Sequence, residues 1–166
     1  IYQVQGNYPL SLEYYQKTLK INEELGDGKS SINSLFNIGV IYLQQGNYPL
    51  ALEYYQKSLK LSETLGDKRI TARNLNAIGL LYQNQNDYHL ALDYLKRGLQ
   101  VSEESQDKQI ISAILMNIGG TYEDLGNDAL ALEYYEKSLK IKEEIKDRRG
   151  ISFSLNNIGN IFSQQG

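Results

Sequence analysis

The sequence predicts an all-α fold, a right-handed superhelix (α-solenoid) of antiparallel helix pairs, on three observations: a 40-residue period, two helical patterns in each period, and turn signals of two residues between them. The period shows first in the frame Ile-Gly-x-x-Tyr/Phe. Its glycines are Gly39, Gly79, Gly119 and Gly159, and its rings are Tyr42, Tyr82, Tyr122 and Phe162. A unit of this size buries its apolar face only by stacking on its neighbours. Residues 1–166 therefore read as a single array of about four repeats rather than as globular domains.

Each repeat opens with a helix A. In the clearest copy, Lys29 to Gln45 carries Leu35, Ile38, Gly39 and Tyr42, the i, i+3, i+4, i+7 spacing of one helix face. Gly46-Asn47 then closes it: glycine suits the left-handed position after a helix end, and asparagine caps the next start, with Pro49 in the first turn. Helix B follows to about Leu65, its apolar side made by Leu50, Ala51, Leu52, Tyr55, Leu59 and Leu61. The stop-and-cap signal returns between A and B at Gly6-Asn7, Asn86-Asp87 and Gly126-Asn127. Between B and A it stands at Gly26-Asp27, Gly66-Asp67, Gln106-Asp107 and Lys146-Asp147. Connections this short force consecutive helices into antiparallel hairpins.

Composition excludes several classes of function. With 41% hydrophobic and 22% charged residues the chain can build a core, and no apolar run approaches the roughly 20 residues of a membrane helix. The sequence has no cysteine and a lone histidine, His89, which removes disulfides, thiolate zinc sites and histidine metal clusters. A net charge of −3 and a pI near 5.2 argue against nucleic acid as the main partner, because counterion release needs a clustered basic face. No cofactor is expected, and a cytoplasmic location fits best. Carboxylates such as Glu123 and Asp124 stand without a general acid, a metal set or a phosphate-cradling loop, so the chain reads as non-enzymatic.

Residues 1–6, IYQVQG, and 161–166, IFSQQG, both match the end of helix A as it stands in IYLQQG at 41–46. The sequence reads as a slice of a longer array whose last A helix and first B helix each leave a complementary face open. Such faces imply end-to-end self-association, a heterologous contact that can propagate.

These motifs resemble the tetratricopeptide repeat over the whole chain. The family's large residue early in helix A falls on Leu35, Leu75, Leu115 and Leu155, and its next packing residue on Ile38, Ile78, Ile118 and Ile158. Its glycine and tyrosine fall on the frame above. In helix B its small residue falls on Ser11, Ala51, Ala91 and Ala131, and its aromatic on Tyr15, Tyr55, Leu95 and Tyr135. The chain departs from the pattern in having no tryptophan and no proline closing helix B, which lengthens the unit beyond the family's usual 34 or so residues. Such long repeats are similar to those of kinesin light chains, Pins-type spindle adaptors, bacterial peptide-pheromone receptors and the sensory segments of bacterial histidine kinases and cyclases. The resemblance implies a scaffold that holds a peptide or protein segment in a concave face lined by the A helices. It leaves open a sensory or regulatory segment of a larger bacterial signalling protein, a peptide-responsive regulator, and a structural array assembling end to end.

With the A helices lining the hollow, the candidate peptide-binding residues are Asn33, Phe36, Asn37, Arg69, Arg73, Asn76, Asn84, Met116, Asn117, Arg149, Phe153, Asn156, Asn157 and Asn160. Asparagine is a mediocre helix former, so its recurrence on one face calls for an explanation beyond propensity. Asn37, Asn117 and Asn157, at equivalent positions, can pair with the backbone of an extended peptide. Ala77 interrupts that ladder, and an echo of repeat duplication would give the same pattern. Each bond contributes about 0.5–1.5 kcal/mol, short of the roughly 8 kcal/mol of a micromolar complex, so apolar anchors at Phe36, Met116 and Phe153 must add to them. Arg69 and Arg73, one turn apart, suit an acidic side chain or a C-terminal carboxylate. At the positions that correspond to the family's chaperone-binding clamp stand Phe36, Val40, Asn37, Ala113 and Asn117, so its two lysines and most of the clamp are missing, which argues against that ligand. Glu13 and Lys17, Glu53 and Lys57, Asp93 and Arg97, and Glu133 and Lys137 read as i, i+4 pairs on a solvated outer face.

Overall fold

The computed structural model describes residues 7–165, with side chains as far as Ser163. Gly6 and the rest of residues 1–6, and the side chains at the end of the 161–166 motif, lie outside the described residues. Among the described residues there are eight helices and no strand: α1 (Tyr8–Glu24), α2 (Gly28–Gln44), α3 (Tyr48–Thr64), α4 (Lys68–Asn84), α5 (Tyr88–Ser105), α6 (Lys108–Asp124), α7 (Asp128–Glu144) and α8 (Arg148–Gln165). Contacts gather into two compact units, residues 1–70 and residues 71–166.

The turn chemistry is the one the sequence predicts. Gly26, Gly46, Gly66 and Gly126 take positive φ between 68° and 72°. The side chains of Asn7, Asp27, Asn47, Asp87, Asp107 and Asn127 each accept from a backbone N–H two or three residues on, at 3.1–3.3 Å. At three turns the left-handed residue is not glycine but Asn86 (φ 61°), Gln106 (φ 56°) or Lys146 (φ 57°). The left-handed region costs an L-residue with a long side chain about 1 kcal/mol. Replacing Gln106 or Lys146 by glycine is therefore expected to raise the unfolding free energy by up to about 1 kcal/mol each, read from the urea midpoint at unchanged m-value.

In the first unit, α1 packs on α2 and α2 on α3. The core is made by Ile32, Leu35, Ile38 and Ile41 of α2 against Ala51, Tyr55 and Leu59 of α3. Gly39 is the close-approach point: an added Cβ would lie 2.7 Å from the Tyr55 ring and 3.3 Å from the Ala51 carbonyl oxygen. Tyr42 stacks on Tyr54 with centroids 5.5 Å apart, and the buried Ser58 hydroxyl donates to the Ile32 carbonyl oxygen at 3.2 Å.

The second unit repeats this grammar. A Cβ on Gly79 would meet Leu95 at 2.7 Å, and one on Gly119 would meet the Tyr135 ring at 2.6 Å. Tyr82 stacks on Tyr94 at 5.4 Å and Tyr122 on Tyr134 at 5.6 Å. Ser138 donates to the Ser112 carbonyl oxygen at 2.7 Å; at the equivalent position Gly98 lies against Leu75. Ala72, Leu92, Leu95, Ile114 and Ile118 form one core cluster, and Ala131, Tyr135 and Ile161 another. The last copy of the frame differs. Leu155 is 54% exposed, Phe162 is 58% exposed, and nothing described lies within 4 Å of a Cβ placed on Gly159.

The expected outer-face pairs form: Lys17–Glu13, Lys57–Glu53 and Lys137–Glu133 at 2.6 Å, and Arg97–Asp93 at 3.8 Å, all exposed. Pairs of this kind contribute about 0.3–0.5 kcal/mol at most.

Burial pushes the Tyr55 hydroxyl up to about 12, and it raises Tyr42 and Tyr82 as well. A folded-state value above the unfolded one, near 10, means the neutral phenol favours folding below pH 10, and this contribution is lost as pH climbs towards 12. Stability is expected to fall by about 2 kcal/mol between pH 10 and pH 12 from Tyr55 alone. Tyr55→Phe should flatten that part of the alkaline decline in urea titrations.

Candidate peptide-binding surface

The A-type helices of the second unit are α4, α6 and α8, and their faces away from the core carry most of the predicted residues. Asn76 on α4 and Asn117 on α6 are half-buried and joined: the Asn117 side-chain amide donates to Asn76 Oδ1 at 2.8 Å. Farther along the same two helices, Gln83 Nε2 donates to Asp124 Oδ2 at 2.7 Å. Between the two bonds sits Gly120, where a Cβ would make ordinary contact with the Tyr135 hydroxyl and the Gln83 amide at 3.5 and 3.6 Å. The Tyr135 hydroxyl donates to Glu123 Oε2 at 2.6 Å. Burial first, and the Glu123 carboxylate second, hold that phenol well above its ordinary value, so it is a fixed donor rather than a base.

The asparagines are thus not equivalent rungs. Asn117 uses one N–H on Asn76 Oδ1, and both side chains keep further hydrogen-bonding capacity while half-buried. Ala77, at the interruption of the ladder, is buried at 8% exposure. Asn157 is half-buried, and its neighbour at the position of Asn76 is Met116, which has no polar group to offer. Asn84, Asn156 and Asn160 are exposed, and Arg73 is half-buried.

A recess of about 360 Å³ lies between α6 and the start of α8, lined by Ala113, Met116, Asn117, Lys142, Asp147, Arg149, Gly150 and Phe153. Met116 packs against the Ala131–Tyr135–Ile161 cluster, whereas Phe153 is 64% exposed. Lys142, Asp147 and Gly150 are the members that reading the A helices alone did not include. The signal for them lies in the turn, where two positions depart together from the other repeats.

In the first unit, Asn33, Phe36 and Asn37 lie on α2. Asn33 is exposed and donates to the Lys29 carbonyl oxygen at 3.3 Å, which ties it to its own helix. Phe36 and Asn37 are half-buried, with the Phe36 ring 5.3 Å from that of Tyr55. Arg69 is exposed. Among the described residues, no group of three His, Cys, Asp or Glu side chains is placed to hold a metal ion, and no helix is long and apolar enough to cross a membrane.

The family model for the tetratricopeptide repeat matches residues 1–64, 31–104 and 110–166, and the chain belongs to that family. No curated protein sequence matches the chain. Among solved structures, the fold is similar to aspartyl phosphate phosphatase F from Bacillus subtilis, with a TM-score of 0.85 at 21% identity over 95% of this chain and 44% of that one. It is similar to BtubC (BKLC) from P. vanneervenii, with a TM-score of 0.84 at 13% identity over 97% and 68%. It is also similar to the TPR2AB domain of yeast Sti1 in its pHSP90 complex, with a TM-score of 0.70 at 21% identity over 82% and 48%. The chain thus spans less than half of the Bacillus and yeast chains. At these identities the likeness shows the fold, an all-α solenoid.

Proposed function

We propose that the chain is a non-enzymatic binding module that holds an extended peptide or partner segment on its A-helix face, the concave face of the array. The observation that carries this reading is the second unit's combination of half-buried, hydrogen-bonded side-chain amides at Asn76 and Asn117 with a recess lined by Asn117, Met116 and Phe153. Amides pair with a peptide backbone, and the recess supplies the apolar burial that hydrogen bonds alone do not. The yeast Sti1 structure, a pHSP90 complex, is consistent with such a use of the fold. We take residues 1–166 as one array because matches to the family model run through residue 70 without interruption.

The test begins with a 12-residue peptide selected from a displayed library on the purified chain, its affinity read by fluorescence anisotropy. Asn117→Ala is expected to weaken binding about threefold to tenfold and Phe153→Ala more than tenfold. Glu136→Ala, exposed on α7, should change it less than twofold. Unchanged affinity in both A-face variants, with helicity retained, would remove the proposal.

Two further readings each have an observation behind them. The fold likeness to an aspartyl phosphate phosphatase fits a sensory or regulatory segment of a larger signalling protein. The open face of α8 at Leu155, Gly159 and Phe162 fits assembly of copies, for which sedimentation velocity should show concentration-dependent mass.

A further inference from the structure

The α7–α8 turn differs from its counterparts in this chain at two positions that compensate each other. Lys142 stands where the other repeats have Asn22, Ser62 and Ser102, all buried, and Gly150 stands where they have Ser30, Ile70 and Ile110. A Cβ on Gly150 would fall 2.5 Å from Lys142 Cδ and 2.5 Å from Asp147 Oδ2. The missing side chain is therefore what lets the Lys142 stem cross the turn. The Lys142 side chain is 12% exposed, and its ammonium reaches Asp147 Oδ2 at 2.8 Å, while Asp147 Oδ1 accepts from the Gly150 N–H at 3.0 Å. The Lys142 ammonium, together with that N–H, holds the Asp147 carboxyl below its ordinary value. Both oxygens of the recess's lone carboxylate are thus engaged, and its charge is offset.

Arg149 is then the uncompensated charge of the recess. It is exposed, and no ion pair to it forms among the described residues. Its place is also unfavourable for the helix: it lies in the first turn of α8, where the partial positive charge of the helix end opposes a cation. Helix stability does not explain it. In a chain of net charge −3, this pocket combines a local cationic excess with apolar walls at Met116 and Phe153 and an amide at Asn117.

We propose that this recess recognises an apolar side chain followed by a carboxylate, that is, a peptide segment with Asp or Glu next to an aliphatic or aromatic residue. The apolar group seats between Met116 and Phe153, Asn117 pairs with the peptide backbone, and the Arg149 guanidinium receives the carboxylate through charge-assisted bonds. This rests on the A-helix face being the ligand face, and it adds the chemistry of the ligand.

The test is a pair of capped hexapeptides titrated into the isotopically labelled chain, identical except for aspartate or asparagine after a central leucine, with binding read from backbone amide shifts. The expected result is shifts at Met116, Asn117, Gly150 and Phe153, with the aspartate peptide bound about fivefold more tightly at low salt. That preference should vanish in Arg149→Gln, persist in Arg148→Gln, and shrink in about 0.5 M salt. Equal affinity for the two peptides, or a preference that survives Arg149→Gln, with the shifts still on the A-helix face, would overturn the inference and leave the proposed function standing. Shifts confined to α5 and α7, or no shifts with either peptide, would overturn both.

Discussion

Tyr55→Ala is expected to lower the unfolding free energy by about 3–5 kcal/mol, the range for emptying an aromatic site in a packed core. The ring is 1% exposed, covers Gly39 at the closest approach of α2 and α3, and lies 5.3 Å from the Phe36 ring. Marginal domains hold only about 5–15 kcal/mol in all, so the variant should show a large fall in its urea midpoint and early loss of helicity on heating. A midpoint within experimental error of wild type would mean that the glycine–aromatic contact is not what joins the hairpin.

The second large effect is a difference of sign at equivalent positions. In Gly119→Ala the new methyl would meet the Tyr135 ring at 2.6 Å and the Ala131 carbonyl oxygen at 3.2 Å. The ring cannot swing aside without giving up the bond from its hydroxyl to Glu123. Overpacking of this kind costs about 1–3 kcal/mol, against about 1 kcal/mol gained by replacing a helical glycine, so with a contact as short as this a net loss of up to about 2 kcal/mol is expected. In Gly159→Ala nothing described stands within 4 Å of the methyl, and the helix gain of about 1 kcal/mol should appear as added stability. Parallel denaturant titrations of the two variants decide it. The same sign at both positions would show that packing does not set the role of the glycine.

What the sequence made legible is what the repeat encodes within one hairpin. The Gly–aromatic contact at Gly39–Tyr55 and Gly119–Tyr135 joins residues 16 apart across a three-residue turn, so fixing the turn fixes the contact. The caps at Asp27, Asn47 and Asp87 are more local still, and a pattern of residue types suffices to find them. The candidate surface was legible only as a set of positions on the A helices. Which amides meet depends on the spacing between helices two apart, which no periodicity specifies: Asn117 bonds to Asn76, one register away from the ladder read along equivalent positions. Of the recess, Met116, Asn117, Arg149 and Phe153 were legible as A-helix positions, whereas Lys142 and Gly150, on either side of the α7–α8 turn, are each unremarkable alone and gain meaning only once the Lys142 stem is seen crossing above the glycine.

The central claim is that a ligand lies along α4, α6 and α8 of the second unit. The most direct test is an experimental structure of the chain bound to the library-selected peptide. The account predicts an extended peptide with its backbone against Asn76 and Asn117 and an apolar side chain between Met116 and Phe153. A peptide seated instead on the outer surfaces of α5 and α7, with those four residues facing solvent, would contradict it.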